Sequence, residues 1–194
     1  MTVVQRDEAR IAYAVFDTAL GACGVAWSET GLLRLQLPER DHNATRARLT
    51  RGLATAVAAA PPSQIASVVG DMIRYAQGHR VDFSNLPLDL DGVPAFHHTV
   101  YDACRKIDWG KTLTYGALAA QVDAPGAARA VGQAMARNPL PIVIPCHRVL
   151  ARGQRMGGFS AYGGAITKER LLALEGVHPG DGTPLLPGLL PDGP

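Results

Sequence analysis

Hydrophobic positions along this chain change period more than once, and each change marks an element. Ile11 to Phe16 (IAYAVF) and Leu32 to Leu37 (LLRLQL) concentrate or alternate β-forming residues and flank a glycine-rich stretch around Gly21 to Trp27. That pattern predicts a small antiparallel sheet in the first forty residues. Ala44 to Ala59 is rich in alanine and reads as a helix, broken by Pro61 and Pro62. Ile65, Val68, Val69, Met72 and Ile73 then recur at three- and four-residue spacing, which predicts a second helix. Tyr75 to Asp91 reads as a return loop with a short strand at Leu86 to Leu90, and a boundary falls near Gly92.

Beyond that boundary Phe96, Val100, Ala103 and Ile107 mark one helix face after Pro94, and Trp109-Gly110 ends it. Thr114 can cap a short helix to about Val122. Asp123-Ala124-Pro125-Gly126 is turn chemistry, and a further helix runs from about Ala127 to Arg137. Two helices joined in this way make a helix-turn-helix candidate, a pattern that any packed pair of helices can also produce. Asn138-Pro139 stops the second helix, because a residue before proline is pushed out of the α region. Ile142 to Ile144 reads as a short buried extended run ending at Pro145, Arg152 to Gly164 as a glycine-rich loop, and Ile166 to Glu175 as a last helix with Leu171, Leu172 and Leu174 turned inward. From Gly176 onward five prolines and five glycines predict a mobile tail. The fold class expected is α/β in the α+β sense. Residues 1–91 form a sheet-plus-helices domain, 92–176 a mostly helical domain with the helix-turn-helix, and 177–194 the tail.

Composition narrows the class. With 194 residues, 47% hydrophobic content and a formal charge of +2, the chain suits one compact domain or two small ones and excludes a disordered or fibrous protein. No window approaches 18 consecutive apolar residues, and the first residues lack the layout of an export signal, so a cytoplasmic protein that does not meet the membrane is expected. The small net charge hides an uneven distribution: between Ala124 and Arg170 seven basic residues face one acid, Glu169. Such a surplus favours a polyanion, nucleic acid above all, although a solvated face balanced by acids elsewhere has the same composition.

Three cysteines, an odd number with no Cys-x-x-Cys pair, point to neither a disulfide scaffold nor a common zinc module, so no metal is expected. Cys146 follows an apolar run and is followed at once by His147 and Arg148. An isolated buried cysteine is usually a small apolar filler. An adjacent imidazole and nearby arginines instead favour the thiolate, the reactive form. Cys23, placed in a glycine-rich turn, and Cys104, on a helix, have no such company and read as structural. Neighbours in an extended segment point to opposite sides, so His147 would reach Cys146 through a water. Its far side would need an acceptor, and Glu175 is the best-placed acid, although by its residues alone the end of that helix reads as solvated.

The stretch from Phe96 to Glu175 resembles the catalytic domain of the O6-alkylguanine-DNA alkyltransferases, the methylated-DNA–protein-cysteine methyltransferases. The matching pieces are Thr114-Tyr115-Gly116, Ala128-Arg129-Ala130-Val131-Gly132, Ala134-Met135, Asn138-Pro139, Ile144-Pro145-Cys146-His147-Arg148-Val149, and Gly163-Gly164 followed by Lys168 and Leu171 to Gly176, all in the same order and spacing. The resemblance implies a single-turnover repair reaction without cofactor. Cys146 would accept an alkyl group from O6 of guanine, or from O4 of thymine, in double-stranded DNA. Tyr115 would donate a proton toward N3 of the base and sit near the rotated phosphate, Asn138 would brace the turn before the active-site strand, and His147, a water and Glu175 would keep Cys146 ionised. Arg129 would fill the space left by the everted base, on a helix whose Ala127, Ala128, Ala130 and Gly132 permit approach to the minor groove, though the same small residues also suit helix packing.

The pocket implied comprises Val149, Met135, Pro141, Tyr162, Ser160 and Gly157, with the Cys146 and Val149 carbonyls reading the guanine amino group. The implied protein is a monomer, with clustering along DNA left open. Two departures stand out. Trp109 replaces a customary proline, and Ser160-Ala161-Tyr162 precedes Gly163-Gly164, which puts Tyr162 in line for the alkyl pocket. Competing readings are a non-enzymatic binder of alkylated DNA, disfavoured by the presence of Cys146, a cysteine hydrolase without an evident oxyanion site, and a sequence-specific regulator.

Overall fold

A computed structural model describes residues 11–179. Most of the expected tail, from residue 180 on, lies outside the described residues. The chain opens with a four-stranded sheet of order β3-β2-β1-β4: β1 (Ala12–Thr18) pairs antiparallel with β2 (Gly21–Trp27), β2 with β3 (Leu32–Gln36), and the two-residue β4 (Val57–Ala58) lies parallel to the start of β1. Gly21 to Trp27, expected as a turn-rich spacer, is instead the best-buried strand of the sheet. Cys23 sits in it, fully buried, and not in a turn. The turn is compressed into Ala19-Leu20, where the Thr18 hydroxyl donates to the Gly21 carbonyl and accepts from the Leu20 N–H.

α1 (His42–Leu49) starts where the Asp41 carboxylate accepts from the Ala44 N–H, and it ends ten residues earlier than the alanine content predicts. The reason is an arginine on a neighbouring strand. The Arg34 guanidinium donates to the Leu49 and Arg51 carbonyls at 2.7 Å each, satisfying groups a longer helix would have used, and Gly52 follows at φ 76°. α2 (Ser63–Ala76) and α3 (Ala95–Arg105) form as expected, joined by a loop in which only Leu88 bridges to Leu32, so the predicted strand at Leu86 to Leu90 is a single rung. β5 (Leu113–Thr114), α4 (Tyr115–Gln121) and α5 (Ala128–Ala136) follow, with Thr114 capping α4 through its hydroxyl. β6 (Val149–Leu150) runs parallel to β5, and α6 (Ala165–Leu174) closes the described chain with Leu171 and Leu172 fully buried and Leu174 only half so.

One core spans both halves of the sequence, from Val25 and Leu35 through Met72 and Val100 to Val131, Ile144 and Leu171. The edge strand β3 reaches beyond its own sheet: the Leu35 N–H donates to the Pro139 carbonyl at 2.9 Å, immediately after α5. The sheet is thereby fastened to the segment that carries Cys146. Among the described residues no helix is long and apolar enough to cross a membrane.

α1 packs on β2 at Gly24, where an added Cβ would stand 2.7 Å from Cδ2 of the fully buried Leu49. Gly24→Ala is therefore expected to cost about 1–3 kcal/mol in urea unfolding through overpacking, and Leu49→Val, which shortens the opposing side chain, should return part of it in the double variant.

Candidate active site

The segment from Asn138 to Arg148 is where the structure departs most from an extended run. Ile142 adopts φ 75°, a left-handed conformation that a β-branched residue enters only at a cost of about 1–3 kcal/mol. Both ends of this turn are clamped by one side chain: Asn138 accepts from the Leu140 N–H at 2.9 Å and donates through Nδ2 to the Ile144 carbonyl at 2.8 Å. Pro145, at φ −78° and ψ 62°, then makes an inverse γ-turn in which the Cys146 N–H donates to the Ile144 carbonyl at 2.7 Å. Cys146 to Arg148 form one helical turn rather than a strand. The premise that placed Cys146 and His147 on opposite faces of a strand therefore fails, yet no hydrogen bond joins their side chains.

His147 is fully buried, and its Nε2 lies 2.8 Å from Glu175 Oε1. A carboxylate can only accept, so Nε2 carries the proton and Nδ1 presents a lone pair. Nδ1 is buried and without a partner among the described residues. Glu175 is the hub. Arg148 donates through Nε to Oε2 at 2.8 Å and through Nη2 to Oε1 at 2.9 Å, Tyr75 donates to Oε1 at 2.9 Å, and the Gly110 N–H to Oε2 at 3.3 Å. Arg148 Nη1 also donates to the Ile107 carbonyl at 2.5 Å. The solvated helix end expected from sequence is thus a buried carboxylate that two charge-assisted bonds require to be there.

These environments set the protonation states. Burial alone would raise Glu175, but the hydrogen bonds from His147 and Arg148 override it and hold the carboxyl down to about 2. Burial lowers His147 below the usual imidazole range against the pull of Glu175, so the ring is neutral near pH 7 and can take a proton. Burial raises the Cys146 thiol, while the neighbouring Asn138 amide and the Lys168 ammonium draw it back without cancelling the rise. Burial of the sulfur thus opposes the resting thiolate expected from sequence. Lys168, fully buried, donates to the Val149 carbonyl at 2.6 Å and lies 5.6 Å from the Tyr115 ring centre; burial brings its amine down to about 8.

Cys146, 6% exposed, lines two cavities at once. The first, of about 400 Å³, is walled by Tyr115, Gly132, Met135, Gly158, Phe159 and Ser160, so α4, α5 and the glycine-rich loop all face the sulfur. The β5–β6 pairing of Leu113 with Val149 and Thr114 with Leu150 is what brings Tyr115, the next residue, beside it. Gly157, at φ 64°, lets the loop approach Tyr115: a Cβ there would meet Cε2 at 3.3 Å. Pro141 lines the second cavity, of about 360 Å³, and Ser160 lines both. Tyr162 does not line either. It is 56% exposed, and Phe159, Ser160 and Ala161 stand in its expected place. On α5, Val131, Ala134 and Met135 are buried and pack the helix, while Arg129 is exposed, Ala127, Ala128 and Ala130 are half-buried, and a Cβ on Gly132 would meet nothing within 4 Å. The small-residue face is accordingly open at Gly132, packed at Ala134 and partly packed at Ala127.

Sequence reasoning missed Tyr75, and it assigned no structural role to Arg148 or Lys168. Tyr75, expected from sequence to open the return loop, lies instead in the last turn of α2, 100 residues from its acceptor, where it meets Trp109 edge-on with ring centres 5.4 Å apart. A buried Arg directly after the His, and a Lys on an otherwise apolar helix face, were the available signals for the other two.

A desolvated thiol between two cavities, beside a neutral imidazole and behind a helix-turn-helix, defines a protein built to bring one sulfur to a ligand held against that motif. Comparison with known families is specific. Residues 95–177 match the DNA-binding domain of 6-O-methylguanine DNA methyltransferase, and residues 11–90 match its ribonuclease-like domain. This chain belongs to that methyltransferase family. It is 34% identical over 168 residues to the methylated-DNA–protein-cysteine methyltransferase of Mycolicibacterium paratuberculosis, covering 87% of this chain and 94% of the relative. Among solved structures, Mycobacterium tuberculosis OGT in complex with DNA superposes with a TM-score of 0.67 at 32% identity, over 85% of this chain and 93% of that one. The O6-methylguanine-DNA methyltransferase of Pyrococcus kodakaraensis gives 0.65 at 27% identity, over 86% and 99%.

The Glu175 environment predicts a defined acid sensitivity. A carboxyl held below its unfolded value stabilises the native state fully above that value, and the contribution disappears as pH falls from about 4.5 to about 2. Urea titrations across this window should show a loss in the wild type that is absent from the difference attributable to residue 175 in Glu175→Gln. Equal slopes for the two proteins would contradict the assignment.

Proposed function

We propose that the chain repairs DNA by moving an alkyl group from O6 of guanine onto Cys146, once per molecule. The observation that carries this reading is the place of the sulfur, on the wall of a cavity whose other walls are the capped end of α4, the open face of α5 at Gly132 and a glycine-rich loop. A base stacked in a duplex cannot present O6 to a thiol buried this deeply, so the nucleotide must be everted into the cavity. The exposure of Arg129 at the start of α5 supports it as the side chain that fills the gap left behind.

The residues divide the chemistry among them. A water between the Cys146 thiol and the unpartnered Nδ1 carries the thiol proton to His147, and the imidazolium so formed is stabilised by Glu175. The thiolate attacks the alkyl carbon; the S–C bond forms as the C–O6 bond breaks, and guanine leaves with the electron pair. Tyr115, on the cavity wall, supplies a proton toward N3 as that charge develops. The Cys146 carbonyl takes the Val149 N–H and the Val149 carbonyl takes Lys168, and each keeps a second lone pair for the guanine amino group. A thioether is too poor a leaving group to return the alkyl group, so the protein is consumed.

Incubation with a duplex containing O6-methylguanine should add one methyl group to the Cys146 peptide, read by mass spectrometry, and none in Cys146→Ala. Because the thiol proton passes to a His147 that burial keeps neutral, the single-turnover rate should fall as acid protonates His147 and stay level from there through neutral pH. A rate that instead keeps climbing about tenfold per pH unit through neutral pH would mean that the thiol ionises to solvent and not to His147. Arg129→Ala should slow repair of the duplex lesion by tenfold or more while leaving alkylation by free O6-benzylguanine within about twofold, since only the former requires eversion. Equal slowing of both would remove Arg129 from that role.

A further inference from the structure

The second cavity at Cys146 is not explained by the base. It leaves the sulfur past Asn138 and Pro141 and opens on four arginines, Arg34 from β3, Arg48 and Arg51 from the end of α1, and Arg137 from the end of α5, with no carboxylate in its lining. Among the described residues none of the four forms a salt bridge. Arg34 spends one nitrogen on the Leu49 and Arg51 carbonyls, neutral partners that leave its charge uncompensated. Its basicity falls through burial and then through the charge of Arg48, so the guanidinium groups crowd one another. Like charges gathered at the end of a cleft lower their free energy most by binding an anion.

The alkyl carbon must reach the sulfur from the guanine side, and whatever that carbon carries must continue away from the base. Resting on the alkyl-transfer reading above, we propose that the arginine-lined cavity receives the far end of long O6 substituents and favours those ending in an anion such as a carboxylate. The step is unchanged: the S–C bond forms, the C–O6 bond breaks, guanine keeps the electron pair, and the carboxyalkyl chain remains on Cys146 with its anion among the arginines. The other anion available to this cavity is a DNA phosphate, and the two sources make different demands on the same residues.

Single-turnover repair of three duplexes separates them, carrying O6-methylguanine, O6-(4-carboxybutyl)guanine or the isosteric O6-(4-carbamoylbutyl)guanine. The wild type should repair the carboxylate about tenfold faster than the carboxamide. The exposed pair Arg48→Gln and Arg51→Gln should bring that ratio close to one, and Arg48→Glu with Arg51→Glu should invert it, each rate being referred to methyl repair by the same protein. A wild-type ratio of one, or failure to repair either long chain while the methyl group is removed, would overturn the proposal. So would an unchanged ratio accompanied by equal slowing of all three duplexes in the variants, which would assign the cavity to backbone phosphate. Absence of transfer from O6-methylguanine itself would overturn the repair reading and this proposal together.

Discussion

A single carboxylate sets the geometry on which the site depends. Glu175 is taken out of water at the end of the last helix and gathers four donors from three distant parts of the chain: Tyr75 on α2, Gly110 after α3, and His147 and Arg148 on the active-site turn. Removing a carboxylate from water costs several kcal/mol, and only a nearly complete set of donors offsets that cost. Each bond therefore constrains the others. Arg148 cannot turn away without stranding a buried charge, and while Arg148 is held, His147 and Cys146 on the same turn are held with it.

The turn itself is strained, and the strain is confined from both sides. Ile142 sits in a left-handed conformation between two groups that Asn138 binds, and the Leu35 to Pro139 bond ties the segment to the edge of the N-terminal sheet. The sheet thus contributes to the chemistry without carrying a reacting group. It supplies Arg34 and a backbone anchor, and α2, packed beneath it, supplies the tyrosine that completes the carboxylate's shell. A helical half excised from this support would keep the helix-turn-helix but lose Tyr75 and the Pro139 anchor.

Much of this was legible in sequence wherever a local rule applied. α2 and α3 follow from three- and four-residue apolar spacing, Thr114 from capping chemistry, and Cys146 with His147 from their juxtaposition and from the resemblance of the surrounding fragments. What escaped was decided by contacts between distant residues. α1 was predicted too long because its end is set by an arginine on another strand, and the Gly21 to Trp27 strand was masked by glycines, one of which exists to admit Leu49. The segment at Ile142 to Ile144 was taken as extended because three β-branched residues favour that state, and Asn138 overrode the preference. Tyr75 escaped because the apolar spacing that predicts α2 was read only as far as Ile73, which left the tyrosine in the following loop, and because its acceptor is 100 residues away.

The same balance explains how one of three buried thiols is reserved for reaction. Burial pushes Cys23 up to about 11 and Cys104 well above its ordinary range, and neither lines the cavities at which Cys146 stands. Cys146 is raised as well, but Asn138 and Lys168 partly offset the rise. A thiol that keeps its proton at neutral pH is a poor target for oxidants and stray electrophiles, which attack the thiolate. For a protein that can react only once, that restraint has a function. In the mechanism proposed above, the proton leaves toward His147 when a base fills the cavity and presents its alkyl carbon, so the sulfur would become nucleophilic where it can be used and stay inert while the protein waits.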